Sequence, residues 1–223
     1  MTARHLLADL RAGFVRLGLE LSDGQQAKLL DYLALITKWN RVYNLTAVRD
    51  EGEMLTHHVL DTLAIISPLK KYNASSNLAT ATLLDVGSGA GLPGVVIAIC
   101  CPDVEVTCVD AVGKKAAFVQ QVATALKLSN LHGLHARVEK ISSTYTPHGF
   151  DIITSRAFSS LGHLAQLTSP LLAPGGVWMA MKATRLELEQ EVSMLSAAIK
   201  VFHVEQLFVP RLSAERCLVW MRQ

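Results

Sequence analysis

The hydrophobic rhythm of the chain changes about a third of the way along. Leu29, Leu30, Leu33 and Ile36 recur at helical intervals behind Ser22-Asp23-Gly24-Gln25, which has the spacing of a capping box. Leu55, Val59, Thr62 and Ile66 fall on one face of a second helix, predicted from about residue 51 to 66. The polar, turn-rich stretch KYNASSNLAT at 71–80 predicts a linker. Beyond it, short apolar runs alternate with helical periods. The runs predict strands at 82–86, 104–109, 131–135, 150–154 and 177–181, with two more around 201–209 and 217–221. Between them helices are predicted from about 92, over 114–128, 159–172 and 186–199, the third closed by Pro174-Gly175-Gly176. This alternation predicts an α/β fold of Rossmann-like type, a mostly parallel central sheet with helices on both faces and a helical N-terminal extension. The expected organisation is one domain over 1–223, with the extension at 1–70 and the α/β core at 80–223.

Composition narrows the class. Half of the 223 residues are hydrophobic, enough for a sizeable core. The N-terminus carries Arg4, Asp9 and Arg11 among apolar runs too short for a secretory signal, and no apolar stretch approaches a membrane span. A cytoplasmic protein with no membrane partner is the expectation. Cys100, Cys101, Cys108 and Cys217 lack metal-ligand spacing and read as buried thiols. The overall charge is only +2, but from Ala111 to Arg185 eight basic side chains face two acidic ones, Glu139 and Asp151. Such polarisation suggests an anionic partner at one surface.

The candidate chemistry begins at LLDVGSGAGLPG, residues 83–94. Gly87, Gly89, Gly91 and Gly94 follow a predicted strand, at the carboxyl edge where open parallel sheets bind ligands. Asp110 ends the next strand, where a carboxylate can accept from both hydroxyls of an adenosine ribose. Loop and acid together indicate a nucleoside cofactor, either NAD or S-adenosylmethionine. Pro93 lacks the N–H that a pyrophosphate would want at the helix start. Asp85 adds a carboxylate that repels a pyrophosphate but suits a sulfonium and an α-ammonium group. Both features favour S-adenosylmethionine.

Here the chain resembles a known family. The loop looks like that of class I methyltransferases, and its Gly-Leu-Pro-Gly ending belongs to a narrower group. With KWNRVYNLT (38–46), HHVLDTL (57–63), CVDAVGKK (108–115), HARVEK (135–140) and TSRAFSSL (154–161), the chain closely resembles the bacterial small-subunit ribosomal RNA methyltransferase G family from about Leu19 onward. Ala90, where some relatives have proline, and Ser88, where threonine is common, are small departures. The resemblance implies methylation of a guanine at N7 in the 16S rRNA of the small ribosomal subunit. It also implies that Gly87 and Leu92 line the cofactor pocket, that Val138 and Glu139 flank the adenine, and that Arg156 lies near the reacting end. The expected cofactor set is thus Asp85, Gly87, Gly89, Gly91, Leu92, Asp110, Val138, Glu139 and Arg156.

The residues agree with that chemistry independently. The chain has Thr154-Ser155-Arg156-Ala157-Phe158 where enzymes acting on exocyclic amines carry an Asn/Asp-Pro-Pro-aromatic motif. Cys100 and Cys101 stand at a helix end, the wrong place for a pyrimidine C5 nucleophile. Guanine N7 offers a free lone pair and asks mainly for proximity and orientation. Lys114, Lys115, Arg137, Arg156 and Lys182 each lie just past, or at the end of, a predicted parallel strand, so the sheet should gather them at one edge. Lys114, Lys115, Arg137 and Lys182 are the expected RNA contacts; Arg156 and Lys182 are also expected to orient the guanine. No catalytic acid, base or metal is assigned. His57, His58 and Asp61 lack a third ligand cluster and read as a hydrogen-bonded site between elements. Trp39, Asn40 and Tyr43 are expected either in the core or packed on the cofactor loop. A small-molecule methyltransferase and a non-catalytic RNA-binding assembly factor are the alternatives, and a monomer is the expected state.

Overall fold

The computed structural model describes residues 3–76, 78, 80–142, 146–156, 158, 160–183 and 185–223, without the side chains of residues 3 and 185–187. Asn77 and Ala79 of the polar stretch, and Ala157 and Ser159 of the TSRAFSSL string, lie outside the described residues.

Helices open the chain: α1 (Ala3–Arg16), α2 (Asp23–Tyr43) and α3 (Glu51–Met54). Ser22 and Gln25 cap α2 reciprocally, the box that their spacing predicts. The single helix expected over 51–66 is instead a composite. After α3 the backbone widens into a π turn (Leu55–Leu60), then α4 (Asp61–Leu63), and α5 (Ile66–Ser75) follows. Thus α5 occupies the first half of the expected linker, because its Ile66, Pro68 and Leu69 find buried positions.

The sheet comprises β1 (Ala81–Val86), β2 (Val104–Asp110), β3 (Leu131–His135), β4 (Phe150–Ser155), β5 (Leu172–Lys182), β6 (Lys200–Gln206) and β7 (Cys217–Arg222), in the order β3-β2-β1-β4-β5-β7-β6. The first five run parallel, and β7 runs antiparallel to both β5 and β6. Helices α6 (Gly94–Cys100), α7 (Gly113–Ala125), α8 (Leu161–Thr168) and α9 (Arg185–Ser193) connect the strands. The segment Pro174-Gly175-Gly176 does not close a helix. It belongs to the start of β5, beside a register shift against β4 between Phe150 and Ile152.

Both sheet faces are buried, so the central strands alternate between two cores rather than between core and water. Leu83, Ile152, Met179 and Leu218 point to the core shared with the N-terminal helices, α6 and α7. Their neighbours Leu84, Ile153, Trp178 and Val219 point to the core under α8 and α9. Every residue of α6 is buried, which explains its apolar character on all sides. All four cysteines are buried thiols, as expected.

Candidate functional site

The loop after β1 is organised by backbone bonds to β2. The N–H groups of Gly87 and Ser88 donate to Val109 O at 2.9 and 3.1 Å, and Gly91 and Leu92 both donate to Ser88 O at 2.9 Å. Gly87 has φ +67, a left-handed conformation that an L side chain adopts only at a cost of about 1–2 kcal/mol. A Cβ there would also sit 3.1 Å from the Phe158 ring. At Gly94 a Cβ would run into Cys108 Sγ, so only glycine lets α6 settle this close to β2.

Asp110, at the end of β2, joins the two strand ends. Its Oδ2 accepts from Gly89 N–H at 2.9 Å and its Oδ1 from Val112 N–H at 2.8 Å, while Lys115 Nζ lies 3.9 Å from Oδ2. A carboxylate has about four acceptor sites, so two backbone bonds leave room for ligand hydroxyls. Above this pair opens a cavity of about 370 Å³ lined by Gly87, Asp110, Ala111, Arg137, Val138, Glu139, Phe158 and His163, among others. Val138 is buried and Glu139 exposed, the latter 3.8 Å from the Arg137 guanidinium. Gly87 is therefore a bare floor, Asp110 a carboxylate at one wall, and Val138 an apolar flank. That set fits a purine nucleoside held by its ribose.

Other expected cofactor residues act from beneath. Asp85 is fully buried, and its Oδ2 accepts from Gly94 N–H at 2.8 Å, so it braces the start of α6 and is not part of the cavity lining. Burial pushes its pKa from 3.8 up to about 7, against the pull of that hydrogen bond and of Arg156. Its Oδ1 and the Ser88 hydroxyl are buried without a hydrogen-bond partner. Leu92 is buried in the core behind the loop. Trp39 stacks edge-on against Phe118, and Asn40 pins the following loop by accepting from Thr46 N–H and donating to Val48 O. Among the described residues, neither Trp39 nor Asn40 has a hydrogen bond to the cofactor loop. The contact from α2 comes from Tyr32, whose buried hydroxyl donates to Ala90 O at 2.7 Å. A tyrosine on an otherwise apolar helical face needs a partner for its hydroxyl, and that was the available signal.

A second cavity, about 240 Å³, lies farther along the same edge. It is lined by His57, His58, Asp61, Arg156, Met181, Lys182, Ala183 and Arg216. Arg156 follows β4 and points here. Its Nη1 donates to His57 O at 2.8 Å and lies 3.6 Å from Asp61 Oδ2. Arg216, which the sequence reading missed, donates from Nε to Asp61 Oδ1 at 2.8 Å. Lys182, at the end of β5, forms a 2.9 Å ion pair with Glu191. His58 bonds Thr46 Oγ1 at 2.9 Å, and burial, followed by the nearby Arg156 charge, lowers its pKa from 6.5 to about 4. His57 pairs with Glu53 at 3.0 Å. The His57, His58 and Asp61 group is thus a hydrogen-bonded junction between the N-terminal helices and the sheet.

The expected basic residues divide between these places. Arg137 borders the first cavity, Arg156 and Lys182 line the second, and Lys114 and Lys115 occupy the first turn of α7 beside Asp110. All stand at the carboxyl edge of the parallel strands.

Residues 25–219 match the model of the GidB family, described as rRNA small subunit methyltransferase G. A ribosomal RNA small subunit methyltransferase G of Albidiferax ferrireducens is 57% identical, with 99% of this chain and 98% of that protein aligned. One from a Polaromonas species is 59% identical over 96% of this chain and 92% of its own length. Among solved structures, magnesium protoporphyrin IX methyltransferase from Synechocystis, with bound SAM, superposes with a TM-score of 0.57 at 12% identity, covering 86% of this chain and 98% of that one. TrmN from Thermus thermophilus gives 0.52 at 18% identity, over 73% of this chain and 49% of its own. The last two likenesses concern the fold alone.

Proposed function

The chain belongs to the rRNA small subunit methyltransferase G family, and from that membership and the site we propose that it transfers a methyl group from S-adenosylmethionine to N7 of a guanine in 16S rRNA. The observation that carries this reading is the pairing of two cavities on one sheet edge. One is floored by bare glycine backbone beside Asp110; the other is walled by Arg156, Lys182 and Arg216 around a single buried carboxylate.

In this reading Asp110 accepts from the ribose hydroxyls, Gly87 and Val138 border the adenine with Glu139 at the rim, and Gly89, Gly91 and Leu92 shape the loop. Asp85 supports it through Gly94. Arg156 and Lys182 orient the guanine from the second cavity, and Lys114, Lys115 and Arg137 meet phosphates along the exposed edge. S-adenosylmethionine, when bound, supplies an electrophilic methyl group on a sulfonium. Guanine N7 supplies its lone pair and loses no proton, so the chain's task is to hold the base in line and exclude water. We assign residues 1–70 to a helical extension that completes the second cavity through Asp61, and 80–223 to the cofactor-binding core. Among the described residues no helix is long and apolar enough to cross a membrane. We place the protein in the cytoplasm, as a monomer working on the ribosomal subunit.

The test is transfer of labelled methyl from S-adenosylmethionine to small subunits taken from cells lacking this enzyme, alongside protein-free rRNA. Label in the 16S rRNA of either substrate is the expected result, and their ratio tells which form is preferred. No label in either, with cofactor binding verified by calorimetry, would reject the proposal.

A further inference from the structure

We infer that the second cavity reads the identity of the target base, with Asp61 as the residue that selects guanine by accepting from its N1–H and 2-amino groups while Arg156 donates to O6. This rests on the proposed reaction and extends it to a residue from the N-terminal helices.

The sheet runs β1-β4-β5-β7 away from the cofactor loop, so the edge presents the loop, then Arg156, then Lys182, then Arg216. Asp61 bridges Arg156 and Arg216, at 3.6 and 2.8 Å. A guanine entering with N7 toward the cofactor cavity presents, in sequence, N7, the O6 acceptor, then the N1–H and 2-amino donors. The wall answers in the same sequence, a guanidinium followed by a carboxylate. Adenine held by N7 in that position would set its 6-amino donor against the arginine and its N1 lone pair against the carboxylate. Both contacts would be mismatched, and mismatched buried polar groups discriminate strongly.

Asp61 lines the cavity although its side chain is only 3% exposed, and it is the one carboxylate among the described lining residues. Two guanidinium contacts leave acceptor sites on its oxygens. About 240 Å³ is below the roughly 300–1,000 Å³ of pockets for drug-sized ligands, a scale suited to one base rather than a nucleotide. Asp61 follows directly on the π turn at Leu55–Leu60, a widened turn of the kind that concentrates at functional sites.

The chemistry is consistent with this placement. The N7 lone pair forms the new N–C bond as the S–C pair returns to sulfur, and the ring is left with the positive charge. A carboxylate against the N1–H and 2-amino edge is where that charge is best met. Arg216 holds Asp61 in place and is a positioning residue.

The experiment uses small subunits reconstituted with either guanosine or inosine at the modified position; inosine keeps O6, N1–H and N7 but lacks the 2-amino group. The wild type should favour guanosine by about tenfold to a hundredfold in kcat/KM, the span of one good paired contact. Asp61→Asn, which keeps an acceptor for Arg216, should melt cooperatively and retain S-adenosylmethionine affinity by calorimetry. Its rate on guanosine should drop and its guanosine preference should fall to near one. A folded Asp61→Asn protein that keeps the wild-type preference overturns the assignment. If that variant transfers to neither substrate, the wild-type ratio decides: tenfold or more upholds the assignment and a value near one overturns it. Absence of transfer by the wild type to guanosine subunits would instead remove the proposed reaction itself.

Discussion

The two ends of the carboxyl edge are built from different materials. At the β1–β2 end the floor of the site is backbone: a glycine loop bonded to Val109 O, with the Asp110 carboxylate tying it to the next strand. At the β4–β7 end it is mostly side chains, brought from the π turn, the end of β4, the end of β5 and the loop before β7. The first end takes its lining from strand ends and α8, with one buttress from α2 in the Tyr32 bond to Ala90 O, whereas the second takes His57, His58 and Asp61 directly from the N-terminal helices. A cofactor common to many enzymes can be held by a generic backbone cradle. In the proposed reaction the acceptor base is met by side chains, which this chain recruits from outside the strand–helix repeat.

This contrast carries over to proton linkage, where the largest effects are expected. Asp85 keeps its proton in the fold between about pH 4 and 7, where the unfolded chain has released it. Its contribution to stability is therefore full below pH 4 and lost as pH rises through 7. His58 is the reverse: the fold refuses a proton that the unfolded chain takes between pH 6.5 and about 4, so its contribution is full above 6.5 and lost as pH falls through 4. The two oppose each other over the same window. Asp85→Asn should unmask a stability that climbs with pH from 4 to 6.5, and His58→Gln one that declines, each by several kcal/mol in urea titrations. Parallel pH profiles for the two variants would contradict the opposed linkage.

At the side-chain end, Asp61→Ala leaves two guanidinium groups facing each other without their carboxylate. Because both arginines are partly exposed, the loss should be near the lower end for a broken buried pair, about 3 kcal/mol by chemical denaturation. A loss under 1 kcal/mol would mean that the docking of the N-terminal helices does not depend on this junction.

At the backbone end, Asp110→Ala should weaken S-adenosylmethionine binding by about 1–3 kcal/mol, through lost ribose bonds and a loosened Gly89. Unchanged affinity in calorimetry would remove Asp110 from the cofactor site. The smallest effect belongs to the shared rim. Lys114→Ala should lower the slope of log affinity against log salt for subunit binding by about 0.7–0.9, the value for one phosphate contact. An unaltered slope would take α7 off the RNA face.

What could be read in advance follows the same division. The loop, Asp110 and the five parallel strands follow local rules, so their positions were legible to within a residue, except that β5 begins five residues earlier than predicted. The junction around Asp61 was not, because Arg216 and Asp61 stand 155 positions apart and nothing in either neighbourhood announces the other. The histidines and Asp61 were visible as a cluster, but their partners were not. The π turn escaped because one inserted residue hardly alters a helical hydrophobic period. Pro174-Gly175-Gly176 has the composition of a break, yet β5 carries it because the segment lies at the strand's irregular start, where register against β4 shifts. Tyr32 went unnoticed because it is core in all but its hydroxyl.

The proposed chemistry is tested most directly at the position of the methyl group. 16S rRNA labelled by the protein in small subunits would be reduced with borohydride and treated with aniline, which cleaves the chain at N7-methylguanosine. The account predicts scission at a single guanosine, with the label lost from full-length RNA. Labelled RNA that resists cleavage would place the methyl on another atom and contradict it.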